Sequence, residues 1–251
     1  MVIIPVDKFA QRAIGARHGY LDSAPAACPW LSNPPPALRT PVREKSPYRP
    51  SNGVTVPSMA LTGSSDTRLV VIRGNSASGK SSIASGLRAA YGRGLAIVGQ
   101  DNIRRDVLRE HDLPCGANIG LIGTIARYAL DHGYHVVVEG ILHADRYAEM
   151  LTGLVADHQG VSRCFYLDVP FAVTLERHAA RPLAKAVGER EMRQWWSPLD
   201  LLPDGAEEII DQHSTLDQSV SRIFHASGLD STTVHPGVPE FESRDAETPT
   251  G

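Results

Sequence analysis

A chain of 251 residues, 42% hydrophobic and 21% charged, has the make-up of a globular protein with room for one generous domain or two small ones. Its formal net charge of −3 is unevenly spread: residues 1–58 carry seven Lys/Arg against three Asp/Glu, and the rest carries eighteen against twenty-five. The acidic remainder argues against gripping long nucleic acid by charge alone, and no apolar run approaches the 18 or so residues that would span a bilayer.

Residues 1–58 hold ten of the eighteen prolines and show no lasting periodicity, so a disordered extension is expected over 1–66. Asp7 and Lys8 fall where a secretory leader needs an apolar centre, and Met59 stands just before the first strand as an expected natural start. Cys28, Cys115 and Cys164 form no CxxC pair. They suit neither a disulfide framework nor a zinc site, so the expected compartment is a reducing cytoplasm.

From residue 67 strands and helices alternate. An apolar run over 67–74 reads as a strand buried on both faces. A helix is expected over 80–92, with Ile83, Leu87 and Ala90 at helical spacing, and a second strand over 94–101. A short helix over 102–111 and a longer one over 118–133 precede a third strand at 134–140. Then come a helix at 144–160, a strand at 162–170, a helix over 171–182 broken by Pro182, a strand at 206–211 and a closing helix at 215–228. This alternation predicts a parallel sheet covered on both faces, in one domain over 67–229, with a disordered tail over 230–251.

Between the first strand and the first helix lies Gly74-Asn75-Ser76-Ala77-Ser78-Gly79-Lys80-Ser81, which fits GxxxxGK followed by Ser or Thr at every required position. Small residues let successive backbone N–H groups converge on a polyphosphate, and the helix behind presents its positive end to the anion. Residues Gly74 to Ser82 are therefore expected to hold a nucleoside triphosphate, ATP before others. Lys80 is placed to reach the β- and γ-phosphates, and the Ser81 hydroxyl to coordinate Mg²⁺.

Other candidates follow from strand ends, where ligands collect in open parallel sheets. Asp101 ends the second strand and is suited to accept a proton from an attacking hydroxyl; capping the next helix is its structural alternative. Arg104, one helical turn on, suits an anionic part of the acceptor, while Arg105 is expected to face solvent. Glu139 ends the third strand and suits Mg²⁺ or acceptor contact. Arg177 and Arg181 share a helix face and precede a polar segment that reads as a lid, so they are candidates for neutralising a phosphoryl group in transfer.

Taken together, the phosphate loop, "GQDNIR" (99–104), "VVVEGIL" (136–142) and "LERHAARP" (175–182) resemble small P-loop kinases, the group of zeta toxins, chloramphenicol phosphotransferase and the kinase domain of polynucleotide kinase. The resemblance covers roughly residues 67–228. It implies an α/β three-layer P-loop sandwich with a five-stranded parallel sheet in the order 2-3-1-4-5 and a helical lid. It further implies ATP and Mg²⁺ as cofactors, and transfer to a hydroxyl. On this resemblance Asp101 is the general base, Arg104 holds a substrate phosphate, Glu139 is the acidic residue after the third strand, and Arg177 and Arg181 are the lid arginines. The expected activity is an ATP-dependent kinase acting on a small-molecule hydroxyl (antibiotic, nucleoside or sugar nucleotide). A 5′-hydroxyl polynucleotide kinase and a slow ATPase switch are the alternatives. The side chains give no readable code for the acceptor or for an oligomeric state.

Overall fold

Alternation along the strands decides which side chain goes to which face. In strand β1 (Arg68–Gly74), Leu69 and Val71 join one apolar cluster while Val70 and Ile72 join another. Successive strand residues point to opposite faces, so a continuous apolar run is what a doubly covered strand requires. In β3 (His135–Glu139), Val136 and Val138 take the first face and Val137 the second. The computed structural model of the protein describes residues 61–180 and 187–231.

The sheet has five parallel strands in the order β2-β3-β1-β4-β5, as expected, with β2 at Leu95–Gly99, β4 at Val161–Asp168 and β5 at Glu207–Asp211. Helices α2 (Ala117–Asp131) and α3 (Ala144–Asp157) cover the first face through Ile122, Ala126, Leu130, Leu151 and Leu154. Helices α1 (Lys80–Tyr91) and α6 (Leu216–Ala226) cover the second through Ile83, Leu87 and Ile223. Each fully buried Leu, Ile or Val contributes about 1.5–3 kcal/mol of transfer free energy before chain entropy is set against it. Helix α4 (Phe171–Ala179) follows β4, and the segment expected as a lid supplies α5 (Glu189–Trp195). The start of α6 is fixed by a reciprocal cap: Thr215 Oγ1 accepts from Gln218 N–H at 3.2 Å, and Gln218 Oε1 accepts from Thr215 N–H at 2.9 Å.

Three expectations shift. The helix over 102–111 is instead a π-helical turn at Asn102–Val107, where Leu108 N–H donates to Ile103 C=O at 3.0 Å, five residues back. The ordered fold also begins before residue 67. Thr62 donates its hydroxyl to Asp131 Oδ1 at 2.7 Å, and its N–H to Asp157 C=O at 2.9 Å, stitching residues 61–66 to the ends of α2 and α3. This segment has no apolar period, so its attachment through polar pairs left no pattern to read. The described fold also runs two residues past the domain boundary expected at 229, because Leu229–Ser231 forms a 3-10 turn with Leu229 buried. Cys164 is free and buried, its thiol pushed up to about 12 by burial. Among the described residues no helix is long and apolar enough to cross a membrane.

Where the chain leaves α3, His158 is buried between Thr67 Oγ1 at 2.9 Å from Nε2 and Ser162 Oγ at 2.8 Å from Nδ1. Burial, helped by the nearby Arg68 cation, lowers its pKa from 6.5 to about 4. The unfolded chain thus binds a proton between these values that the folded chain refuses, so stability is lost as pH falls from about 6.5 towards 4. The urea midpoint should drop more between pH 7 and pH 4.5 in the native sequence than in His158→Gln. Equal drops would place the pH dependence elsewhere.

Candidate active site

The phosphate loop turns where side chains would obstruct it. Gly74 has φ 141° and lies so close to β4 that a Cβ would sit 2.7 Å from the Leu167 carbonyl oxygen. Gly79 has φ 112° in open space, so its requirement is purely one of backbone dihedral. Lys80 opens α1 and folds back across the loop, its Nζ donating to Asn75 C=O at 2.7 Å and to Ser78 Oγ at 3.3 Å. The ammonium is buried and already aimed at the space the loop encloses.

Beside it, Ser81 Oγ lies 3.2 Å from both Glu139 carboxylate oxygens. Burial raises the Glu139 pKa, against the opposing pull of the Lys80 cation and the Ser81 hydrogen bond. A hydroxyl and a half-buried carboxylate converging on one point are hard oxygen donors of the kind that suit Mg²⁺. Ser81 and Glu139 would hold that ion.

Asp101 follows β2 at the sheet's carboxyl edge. Its backbone is already helical (φ −65°, ψ −38°) and its side chain makes no cap hydrogen bond, which removes the capping alternative. The carboxylate instead accepts from Arg104 Nη2 at 2.9 Å and Arg105 Nε at 3.1 Å, both at Oδ1. Oδ2 takes no hydrogen bond among the described residues. Arg105 is exposed, as expected, and also borders the small cavity described next.

Three cavities run in series along this edge. The first, about 410 Å³, is lined by Ile83, Leu167, Val169, Ile210 and Leu216, with Ser82 and Arg177. A small second one, about 90 Å³, lies where Ser76, Lys80 and Ser81 meet Asp101, Arg105 and Glu139. The third, about 570 Å³, opens beyond Asp101 and is bordered by Arg104, His111, His143, Arg146 and Asp200. Ala77 and Gly79 wall both the first and second; Gln100, Asp101, Arg105, Ile141 and Trp195 wall both the second and third.

The remaining expected residues are distributed as follows. Arg177 Nη1 donates to Ser78 C=O at 3.0 Å and borders the first cavity, not the second. Arg181 lies outside the described residues. Asn75 belongs to the loop by sequence, but its amide turns away from the enclosed space: Oδ1 accepts from Ser197 N–H at 2.9 Å and Nδ2 donates to Ser197 C=O at 2.8 Å.

Two polar networks behind the third cavity escaped the sequence reading. Arg73, wholly buried in β1, donates to both Glu207 oxygens at 2.9 and 3.0 Å, to Asp200 Oδ2 at 3.0 Å and to Leu142 C=O at 2.9 Å. Burial would raise the Asp200 pKa, but hydrogen bonds from His143 and Ala144 N–H, with the Arg73 charge, hold it below the usual carboxylate value. A lone arginine in an apolar strand was the available signal, since a buried charge must find partners. The second network centres on Tyr147, whose hydroxyl meets Asp112 at 2.5 Å and Gln100 at 2.8 Å. It fixes the turn after β3 against the end of β2, because Gln100 Oε1 accepts from Leu142 N–H at 3.1 Å.

Against known families, the profile of the AAA domain matches residues 69–200, more than half of the chain. The chain belongs to this AAA domain family. No curated protein matches the sequence. Among solved structures, the AAA domain here resembles a protein of Chloroflexus aurantiacus provisionally described as a kinase, with TM-score 0.52 and 18% identity over 68% of this chain and 100% of that one. It also resembles a sugar kinase from Janibacter, with TM-score 0.51 and 19% identity over 67% of this chain and 99% of that one. An APS kinase from Mycobacterium tuberculosis, in complex with AMPPNP and APS, follows at TM-score 0.49 and 19% identity, over 68% and 99%. At these identities the likeness is one of fold, and the fold is that of the small P-loop kinases.

Proposed function

We propose that this AAA domain is an ATP-dependent kinase that transfers the γ-phosphate to a hydroxyl of a small molecule. The observation that carries the reading is the series of three cavities, with the phosphate loop between the first two and Asp101 between the last two. An apolar chamber on one side of the loop suits the nucleobase. A larger, polar-walled chamber on the other suits an acceptor, and a pure nucleotide switch has no use for it.

In this reading the loop amides and Lys80 bind the triphosphate and draw charge from the transferring group. Ser81 and Glu139 would hold Mg²⁺, which would supply further charge neutralisation. Asp101 orients the acceptor hydroxyl through Oδ2 and receives its proton, while Oδ1 stays fixed by Arg104 and Arg105. The buried Arg73 network keeps Asp200 and His143 in place on the far wall, where they suit acceptor hydroxyls.

The test is ADP release from Mg-ATP over a panel of antibiotics, nucleosides and sugar nucleotides, with a 5′-hydroxyl oligonucleotide and labelled ATP as a separate arm. At least one small hydroxyl compound should raise ADP release well above the acceptor-free rate. Stimulation by the oligonucleotide alone would make the protein a polynucleotide kinase. Steady hydrolysis that no acceptor alters would make it an ATPase switch.

A further inference from the structure

We infer that Arg105, rather than Arg177, is the cation that joins Lys80 in neutralising the phosphoryl group during transfer. The inference rests on the kinase reading above and names a residue that the family resemblance does not assign. Among the described residues, Lys80 and Arg105 are the only lysine or arginine side chains lining the small cavity between loop and base. Lys80 enters from the loop side, held there through Asn75 and Ser78, whereas Arg105 enters from the side of Asp101. Arg177 is turned to the other side of the loop, on the Ser78 carbonyl, and Arg104 borders only the acceptor cavity.

Arg105 is held through Nε to Asp101 Oδ1, so neither Nη carries a hydrogen bond among the described residues. A guanidinium anchored this way presents a two-pronged donor, the geometry that matches two oxygens of one phosphoryl group. Its position follows from the π-helical turn: Ile103 is buried as the anchor, and the two arginines after it divide, one to the acceptor cavity alone and the other to the shared wall. Insertions of this kind into helices gather at functional sites.

The step balances without a covalent enzyme intermediate. A lone pair of the acceptor oxygen forms the new bond to the γ-phosphorus as the bond from phosphorus to the β,γ-bridging oxygen breaks, and that electron pair leaves with ADP. The hydroxyl proton passes to Asp101 Oδ2. Arg105 exchanges no proton; its Nη groups follow the charge spreading over the three equatorial oxygens. Because one carboxylate carries both the proton acceptor and the anchor of the cation, the two are placed as a unit.

The experiment compares calorimetric binding of MgADP with and without aluminium fluoride, which mimics the phosphoryl group in flight, to the full chain and to Arg105→Ala, Arg105→Lys and Arg177→Ala. The native protein should bind tighter with fluoride present. Arg105→Ala should lose at least about tenfold of that gain while MgADP alone binds within about twofold. Arg105→Lys should recover part of it, and Arg177→Ala should keep it. A full gain in Arg105→Ala overturns the assignment. So does an equal loss for MgADP with and without fluoride, which would mark a structural role, and so does a native protein that binds MgADP with no gain from fluoride. Native protein that is folded by circular dichroism yet takes up no MgADP overturns the kinase reading, and this assignment with it.

Discussion

Lys80→Ala is expected to abolish phosphoryl transfer in a protein that still folds. The ammonium is buried, lies within hydrogen-bond distance of the loop's own carbonyl and hydroxyl, and is aimed at the cavity shared with Asp101 and Glu139. Removing one preorganised charged donor from such a site costs about a hundredfold or more in rate. Substitution removes the ammonium's hydrogen bonds to Asn75 and Ser78 but leaves intact the two apolar clusters that hold the sheet between its helices. Glu139 should respond as well. With the lysine gone, the charge that offsets its burial disappears, so its carboxyl should titrate higher still. Acceptor-dependent ADP release and thermal melting check both parts. Turnover within tenfold of native would mean the loop's lysine does not serve the reaction.

The second large effect is expected at Asp101. Asp101→Asn keeps an oxygen for Arg104 and Arg105 but cannot take a proton, so turnover should fall by about 10²–10⁴ while ATP affinity stays within a few-fold. Folding should be indifferent, because the carboxylate is 65% exposed and exposed ion pairs contribute at most about 1 kcal/mol. Steady-state kinetics in ATP at saturating acceptor separate the two quantities. A variant that loses ATP affinity and turnover together would place Asp101 with the nucleotide, not the acceptor.

How far the sequence could be read depended on whether a feature leaves a period. The strands did, because burial on both faces demands unbroken apolar runs such as Leu69 to Ile72, and their alternation with amphipathic helices predicted the parallel sheet; its strand order came from the resemblance to small P-loop kinases. The phosphate loop was legible because its glycines answer steric demands that only glycine meets at those dihedrals. The turn at 102–107 was not. A π-helix differs from an α-helix by roughly one residue per turn over a stretch of only six, too short to disturb the apolar spacing, so nothing in the sequence showed that the exposed Arg105 also borders the small cavity. Arg73 and Tyr147 were hidden because their partners, Glu207 and Asp112, lie 134 and 35 residues away. The stitching of residues 61–66 was missed for a related reason, since isolated polar pairs such as those of Thr62 with Asp131 and Asp157 have no compositional signature.

The paired hydrogen bonds between the Asn75 amide and the Ser197 backbone join the phosphate loop to the residue directly after Trp195-Trp196. Trp196 meets Phe171 edge-on with ring centroids 5.9 Å apart, and Trp195 walls both the second and third cavities. Two of the three indoles in the chain therefore sit on a short mechanical linkage to the loop, and filling the site should perturb their emission. The protein carries its own optical reporter of occupancy. The Asn75→Ala variant should mute that signal on addition of Mg-ADP, without any dye or label.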